Sequence, residues 1–366
     1  MKILILDQFS EPGGAQLCVR DLGPEIARRG WQAVFVGPGA GGIRDSLAES
    51  GMRNECLPWH SYTNGRKTFG DVVRYGFDIP RAIGVAKRLA SKHHADLVYI
   101  NGPRILPLGV AFDCPVVFHA HSRILKNYAR FVAATCLRMK RMEVIAASRF
   151  AARSFTGMKG AQSIRVMYSG VRDMGFTARI RRRGAARVGI IGRIAPEKGQ
   201  LDFVRAARVV TQSRRQMEFV VYGASMFSKP GYEQRVQAEA AGLPIRFAGW
   251  TGDIAGALHN IDILAVPSSG VEAAGRVVME ALSAGTPVVA YPSGGIPELL
   301  CDGHSGLLTV SSTPAQLARC IEILLDNPGV AWRIAHEGRK EWESRFRVER
   351  YQREICDFLE SLKGGC

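Results

Sequence analysis

Short apolar runs alternate with amphipathic segments along almost the whole chain. Each run is the length of a buried strand, and the segments between the runs repeat their apolar residues with helical spacing. The predicted strands are residues 2–6, 33–37, 96–101, 115–121, 143–148 and 164–170, and then 187–192, 218–223, 245–250, 262–268, 287–293 and 306–310. The predicted helices include residues 17–29, 79–92, 202–211, 232–241, 276–284, 314–326 and 332–362. This alternation predicts parallel sheets covered by helices on both faces.

The series of strands and helices occurs twice, which predicts two Rossmann-like α/β domains. A length of 366 residues suits two domains of roughly 150–200 residues each. Residues 172–187 lack either periodicity, so we place the domains at 1–175 and 176–349, with a charged helical segment after them. Ligands of open parallel sheets bind outside the carboxyl ends of the strands. Two facing domains would therefore place the chemistry in a deep interdomain cleft.

The composition is that of a globular protein, but its charge is uneven. Hydrophobic residues make up 46% and charged residues 22%, which excludes a disordered or fibrous chain. The net charge is +16, and residues 1–187 hold 30 basic against 13 acidic residues, whereas the remainder holds 19 against 20. The whole basic excess therefore lies in the first half. Such an excess indicates nucleic acid, an anionic membrane or a polyanionic substrate as partner.

The cysteines and the N-terminus bear on location. Eight scattered cysteines form no C-x-x-C pair, which predicts mostly buried thiols in a reducing compartment. The four-residue apolar run before Asp7 is too short for a signal peptide, and no run approaches a transmembrane helix. We expect a cytoplasmic protein, with room for peripheral contact at the inner face of the cell membrane.

Two carboxylates eight residues apart give the strongest local signal. Glu280 lies inside the apolar helical run at residues 277–282, where a buried carboxylate needs hydrogen-bond donors such as two ligand hydroxyls. Glu272 lies in the Gly- and Ser-rich loop before that helix. The amides that open the helix, a ready-made anion site, are those of Gly275, Arg276 and Val277. The alternative is a partly exposed helix residue and an ordinary loop carboxylate.

Three more candidate sites lie at or just after the ends of predicted strands. Arg193 and Lys198 lie in a Gly-rich turn and suit a diphosphate, the alternative being a solvated basic turn. Gly14 lies in the E-P-G-G-A-Q turn, which suits a close approach to a ligand or is simply a tight turn. His119 and His121 share one face of a strand end, which favours either a cleft role or a satisfied core histidine. No third metal ligand lies near them in the sequence.

Together these elements resemble the retaining GT-B glycosyltransferases of family 4, also called glycosyl transferases group 1. The E-x7-E motif is Glu272 to Glu280, with A-L-S-A-G-T-P-V-V-A-Y-P-S-G-G-I-P-E-L-L after it, and the G-R-x4-K-G element is residues 192–199. The G-G-A-Q loop, residues 146–155 and the Y-S-G-V turn also fit. Two positions depart from the pattern: Ala273-Ala274 replaces the common Pro-Phe, and Arg172 replaces an acidic residue.

The resemblance implies a role for each candidate. Arg193 and Lys198 would hold the donor diphosphate, Glu280 would bind the ribose and Glu272 the donor sugar. The substrate would be a nucleoside-diphosphate sugar, and the reaction would use no cofactor and no metal. Glycine and amide positions would approach the donor, Phe247 and Gly249 would line the base pocket, and His121, or alternatively His119, would be the cleft histidine. The helix at about 350–366 would pack back on the first domain. The other donor-binding positions implied are Gly14, Gly275, Arg276 and Val277.

The basic excess remains to be explained. Residues 123–141 mix basic, apolar and aromatic side chains like an interfacial amphipathic helix, and residues 66–92 and 179–183 are further basic stretches. The alternative is a solvated basic face, while no nucleic-acid-binding motif accompanies the charge. The sequence thus predicts a retaining hexosyltransferase with a lipid-linked or envelope-polysaccharide acceptor. The rival hypotheses are a GT-B nucleotide-sugar epimerase and a non-catalytic nucleotide-sugar or nucleic-acid binder; the oligomeric state stays open.

Overall fold

The computed structural model describes residues 1–39, 41–60, 69–178, 184–213, 216–225, 231–270 and 272–363. These residues form two compact units, one made of residues 1–169 and 348–366 and the other of residues 170–347. The chain therefore passes from the first unit to the second after Ser169 and returns after Arg347. The basic stretch at 179–183 and part of the stretch at 66–92 lie outside the described residues.

The first unit is a seven-stranded parallel sheet with the strand order β3-β2-β1-β4-β5-β6-β7. Its strands are β1 Lys2–Asp7, β2 Gln32–Pro38, β3 Arg53–Leu57, β4 Leu97–Asn101, β5 Val116–Ala120, β6 Met142–Ala146 and β7 Ala161–Val166. Its helices are α1 Gly14–Asp21, α2 Gly23–Arg28, α3 Ile43–Glu49, α4 Phe69–His93, α5 Asn127–Lys140, α6 Arg149–Ala152 and, from the end of the chain, α13 Val348–Ser361, with a 3-10 segment at Pro103–Ala111.

Strand alternation divides the core of this unit into two layers. Leu4, Val98 and Phe118 point to one face of the sheet and share a hydrophobic cluster with residues of α4, α5 and the 3-10 segment. Ile5 and Tyr99 point to the other face, where α1, α2, α3 and α13 cover them. Both faces are buried, which is why the strands read as continuous apolar runs.

The second unit is a six-stranded parallel sheet with the order β10-β9-β8-β11-β12-β13. Its strands are β8 Ala186–Ile191, β9 Met217–Tyr222, β10 Ile245–Gly249, β11 Ile263–Val266, β12 Val288–Ala290 and β13 Leu307–Leu308. Its helices are α7 Gln200–Ser213, α8 Tyr232–Glu239, α9 Ile254–His259, α10 Arg276–Ala284, α11 Pro314–Asp326 and α12 Pro328–Arg345, with 3-10 turns at Pro196–Lys198 and Ile296–Glu298. The sequence prediction of two Rossmann-like α/β domains is confirmed.

The structure adds one strand that was not predicted and corrects two predicted helices. Strand β3 was missed because it is an edge strand with few apolar positions. The predicted helix at 17–29 is two helices, since Pro24 lacks the N–H that a continuous helix would need there. The predicted helix at 332–362 ends at Arg345, because Phe346 is fully buried and its carbonyl accepts a hydrogen bond from Val171 N at 2.9 Å.

The structure shows the burial of seven cysteines and the length and polarity of the helices. Four of the seven described cysteines are buried, whereas Cys56 and Cys301 are exposed, so the expectation of buried thiols holds for the four alone; all seven are free. Among the described residues, no helix is long and apolar enough to cross a membrane.

An acidic residue, Asp173, directly follows the Ser169–Arg172 turn. Asp173 accepts two hydrogen bonds of 2.7 Å from the guanidinium of Arg339 on α12, and one of 3.3 Å from Ser283 on α10. The hydrogen bonds and charge of Arg339 outweigh burial and lower the pKa of Asp173 to about 2. The segment that enters the second unit is therefore fixed to two of its helices.

Candidate functional site

The loop after β8 carries Arg193 and Lys198 and is shaped by a glycine. Gly199 has φ +78°, and a Cβ there would lie 2.0 Å from the carbonyl oxygen of Pro267, at the end of β11. Only glycine fits this approach, which brings the turn holding Lys198 against the chain that leaves the neighbouring strand. The close approach at Gly199 thus places the loop after β8 and the loop after β11, which are far apart in the sequence, at the same edge of the sheet.

Lys198 and Glu272 meet at this edge. The ammonium of Lys198 donates a hydrogen bond to Glu272 Oε2, and both side chains are mostly buried. Gly275 N donates to Glu272 Oε1 at 3.3 Å, and Ser268 Oγ approaches Oε2 at 3.5 Å. Burial alone would raise the pKa of Glu272, but the charge and hydrogen bond of Lys198, with Gly275 and Arg193, outweigh it and lower the pKa. Glu272 is therefore ionised beside a cation.

Arg193 is held by two neighbours on the same loop. Its guanidinium donates to Glu197 at 2.7 Å. The fully buried amide of Gln200 donates to the Arg193 carbonyl at 2.7 Å and accepts from Ala195 N at 3.2 Å, which fixes the loop backbone. Gln200 was not predicted as a site residue, although its position directly after Gly199 could have indicated a role in holding the loop.

Glu280 is buried, so the alternative of a partly exposed helix residue is wrong. Arg276 Nε donates to its carboxylate at 3.0 Å along α10, and Arg276 also reaches the Gly170 carbonyl at 3.4 Å. From the sequence, ligand hydroxyls were expected to satisfy the Glu280 carboxylate, but in the structure Arg276 already donates to it. Gly275, at φ +47°, caps the helix, and its first turn contains Arg276 and Val277.

The ends of β9 and β10 join the same edge. Gly249 is exposed and accepts a hydrogen bond of 2.7 Å from Gly223 N, and a Cβ on Gly223 would lie 2.0 Å from the Gly192 carbonyl oxygen. Phe247 packs against the hydrophobic core of the unit and is partly exposed. The structure thus places the turn of Gly249 beside the start of the Arg193 loop.

In the first unit, three neighbouring strands end in polar residues at one level. The register pairs Asp7 of β1 with Asn101 of β4, and Asn101 with His119 of β5. His119 is fully buried and shares a hydrogen bond with Tyr99, whereas His121 is partly exposed and its Nε2 lies 2.7 Å from Asn101 Oδ1. His119 is therefore a buried core histidine that is hydrogen-bonded through Nδ1 alone, since its Nε2 has no partner among the described residues, and His121 is the more accessible of the two.

Gly14 begins α1 close to this row of residues. A Cβ on Gly14 would meet no atom within 4 Å, so the glycine is not required by packing. Two residues further along, Gln16 Nε2 donates to both carboxylate oxygens of Asp7, at 2.9 and 3.0 Å. The Gly14 turn is thereby tied to the strand ends that carry His121.

Family comparisons agree with the fold. The "Glycosyltransferase Family 4" profile matches residues 12–173, and the "Glycosyl transferases group 1" profile matches residues 180–341. These two matches span most of the chain, one on each half. The protein belongs to the group 1, family 4 glycosyltransferases, and its fold is that of the GT-B enzymes.

Individual relatives are similar at modest identity. The phosphatidyl-myo-inositol mannosyltransferase of Mycobacterium leprae is 27% identical over 338 residues, covering 87% of this chain and 85% of its own. The 2-deoxystreptamine glucosyltransferase of Streptomyces kanamyceticus is 34% identical over 168 residues, covering 43% and 41%. HepE of Anabaena, solved in complex with UDP and glucose, has a TM-score of 0.83 and 25% identity, covering 99% and 100%.

Proposed function

We propose that this glycosyltransferase moves a hexose-type sugar from a nucleoside diphosphate to a hydroxyl acceptor with retention of the anomeric configuration. The observation that carries the proposal is the pair of Lys198 and Glu272, held with Arg193 at the carboxyl edge of the second sheet. A mostly buried cation and carboxylate in contact provide opposite charges at one point. A leaving diphosphate and a developing positive charge on a sugar ring need such opposite charges side by side.

The step needs no external acid. The bond between the anomeric carbon and the β-phosphate oxygen breaks, and its electron pair goes to the leaving diphosphate. The acceptor hydroxyl bonds to the anomeric carbon on the face that the leaving group vacates, and its proton passes to the phosphate oxygen. Arg193 and Lys198 offset the charge that develops on the phosphate, so we propose chemistry without a metal or cofactor.

The remaining candidates would bind the donor. Glu272 would accept from hydroxyls of the donor sugar and Glu280 from those of the ribose, while the first amides of α10 face the phosphate or sugar. From the first unit, the open space over Gly14 leaves room for a ligand. HepE, a relative by structure, binds UDP and UDP-glucose, which supports a nucleotide-sugar donor. The further donor-binding positions in this proposal are Phe247, Gly249, Gly275, Arg276 and Val277, and His121 is proposed as a catalytic residue.

A product assay tests the proposal. The enzyme is incubated with UDP-, GDP- and ADP-hexoses, with and without a hydroxyl acceptor, and the product is examined by proton NMR. We expect acceptor-dependent release of nucleoside diphosphate and a glycoside with the anomeric configuration of the donor. An inverted product would contradict retention. A changed sugar without any acceptor would instead identify an epimerase, and binding without turnover a non-catalytic binder.

We also propose that the acceptor is lipid-linked or part of an envelope polysaccharide and that the first unit docks on an anionic membrane. Seven of the fourteen large apolar side chains that are exposed in the described chain lie on or beside α4 and α5. Both helices cover the same face of the first sheet. We call these residues the α4–α5 surface: Val73, Phe77, Leu125, Tyr128, Phe131, Val132 and Met139.

Charge selects the partner of this surface. Residues 123–141 contain five lysines and arginines beyond Arg123 and no acidic residue. Phe131 is 73% exposed and Met139 67% exposed among them. Each basic residue near anionic lipid contributes about 1 kcal/mol, and exposed aromatic rings can enter the interface. The mannosyltransferase of M. leprae, which is named for a phosphatidyl acceptor, is a compatible relative.

Vesicle sedimentation tests the membrane proposal. We expect the protein to bind anionic vesicles at low salt and to bind neutral vesicles weakly. Phe131→Asp should lower binding to anionic vesicles by roughly ten-fold or more, because it removes apolar area that the membrane would bury and adds a negative charge. Val310→Asp is the matched control, because Val310 is 91% exposed in the second unit. Equal binding to neutral and anionic vesicles would overturn the proposal.

A further inference from the structure

The strand ends of the first unit contain a chain of hydrogen bonds that starts at a buried carboxylate. Asp7 is fully buried and accepts from Phe9 N at 2.8 Å and from Gln16 Nε2. Its Oδ2 also accepts from Asn101 Nδ2. Every one of these neighbours is a donor, which is the set of partners that a carboxylate requires.

The carboxylate fixes which way the Asn101 amide points. The Nδ2 group must face Asp7, since an ionised carboxylate accepts hydrogen bonds and donates none. Asn101 Oδ1 is then presented to His121, whose Nε2 lies 2.7 Å away. An amide oxygen is only an acceptor, so Nε2 of His121 carries the proton.

The surroundings of His121 keep the ring neutral. Burial lowers the pKa of His121 to about 3. The ring of His119 lies against it with centroids 3.8 Å apart, and burial, followed by the nearby His121, holds the pKa of His119 well below its usual value. The hydroxyl group of Tyr99 is hydrogen-bonded to Nδ1 of His119 and not to His121. With its proton on Nε2, a neutral His121 has an unprotonated Nδ1, and no donor in the described part of the chain reaches that atom.

We infer that Asp7 and Asn101 are positioning residues that hold His121 as its Nε2–H tautomer, so that Nδ1 accepts a hydrogen bond from a sugar hydroxyl. The device selects for a substrate that carries a hydroxyl at this point. It deepens the proposed function and rests on it for the identity of the ligand. The state of the His121 ring itself can be measured without any substrate.

One substitution should reverse the tautomer. In Asp7→Asn the amide oxygen is expected at the Oδ1 position, where the Phe9 amide donates, which leaves the new NH2 group facing Asn101. Two donors would then meet, so the Asn101 amide turns over and offers its own NH2 group to His121 Nε2. The proton of His121 moves to Nδ1, and the acceptor that faces the sugar becomes a donor.

The exchanged pair should restore the tautomer. In Asp7→Asn/Asn101→Asp, the new amide donates to the carboxylate at position 101, and that carboxylate accepts a hydrogen bond from the Nε2–H group of His121. Asp21→Asn is the control, since Asp21 is also fully buried in the first unit but pairs with Arg20. Burial raises the pKa of Asp7 to about 7. The spectra are therefore recorded at about pH 8.5, where the Asp7 carboxyl group is ionised.

Long-range proton–nitrogen NMR of histidine-labelled protein reports the tautomer, and donor kinetics report its effect. We expect the Nε2–H form in the native protein and in Asp21→Asn, the Nδ1–H form in Asp7→Asn, and the Nε2–H form again in the exchanged pair. Transfer should fall by roughly ten-fold in Asp7→Asn, which corresponds to about 1.4 kcal/mol, and recover in the exchanged pair.

Either of two spectral results would overturn the inference: an Nδ1–H tautomer in the native protein, or an unchanged tautomer in folded Asp7→Asn. If the tautomers follow the expected pattern but transfer does not, the positioning of His121 stands and its contact with the sugar is refuted. If no sugar transfer is found in any variant, the proposed function fails, while the spectra still decide the tautomer.

Discussion

Lys198→Met should lower kcat for sugar transfer by roughly 100- to 1,000-fold, the scale of removing one group that stabilises developing negative charge. Lys198 is a mostly buried cation beside the leaving-group region of the proposed site, and methionine keeps the length of its side chain without the charge. The apparent KM for the donor should change less than kcat, since the charge on the diphosphate grows as the glycosidic bond breaks. Steady-state assays over a range of donor concentrations measure both constants.

A matched lysine provides the control for this variant. Lys340 pairs with Glu337 on the exposed side of α12 in the same unit, and its side chain is 69% exposed. Lys340→Met should therefore leave kcat near the native value. A native kcat in folded Lys198→Met would remove Lys198 from the reaction and, with it, the observation on which the proposed function depends.

Glu272→Gln should lower transfer by roughly 100-fold, because a neutral amide no longer opposes the positive charge that develops on the sugar ring. The substitution also leaves Lys198 without its anionic partner. We therefore expect the two losses to be non-additive, so that Lys198→Met/Glu272→Gln transfers only slightly more slowly than the slower single variant. Initial rates of the four proteins, measured at saturating donor, complete the cycle.

The pair of Lys340 and Glu337 on α12, of which Lys340 is the exposed member, again supplies the comparison. Glu337→Gln and Lys340→Met, alone and together, should show no coupling in the transfer assay. Additive losses for Lys198 and Glu272 would mean that the two residues act separately, in spite of their contact. Full activity in Glu272→Gln would exclude the carboxylate from the chemistry.

The sheets were predictable because buried parallel strands read as continuous apolar runs. The edge strand β3 was not, since four of its five residues are polar or only partly buried, and register with β2 rather than side-chain pattern defines it. Helix ends were predictable where the local sequence decides them, as at Arg276–Ala284. The break at Phe346 depends on tertiary contacts, which the amphipathic pattern of 332–362 does not contain.

The candidate site divides in the same way. Arg193, Lys198 and Glu272 follow strands and Glu280 lies inside the helix that comes next, so the sequence could place the first three at one edge of a sheet. The contact between Lys198 and Glu272 could not be predicted, because the two residues are 74 positions apart. The Asp7 and Asn101 row was missed although a polar residue ends each apolar strand there.

The charge analysis located only part of the exposed apolar surface. Residues 123–141 were recognised from their mixture of basic and aromatic side chains. Phe77 on α4, 74% exposed, was not, because its helix also carries buried residues such as Ala82 and Ala86. Only the shared core cluster shows that α4 and α5 cover one face.

The return of α13 to the first sheet has a consequence for synthesis on the ribosome. Tyr351, Ile355 and Phe358 complete the hydrophobic cluster that includes Ile3 and Val19. The unit whose first part is translated earliest therefore has an open apolar surface until α13 has been synthesised, while residues 170–347 can fold before it is complete. A nascent chain that stalls before Val348 would leave the ribosome with its second unit complete and its first unit lacking a layer of its core, a form that chaperones and proteases would recognise.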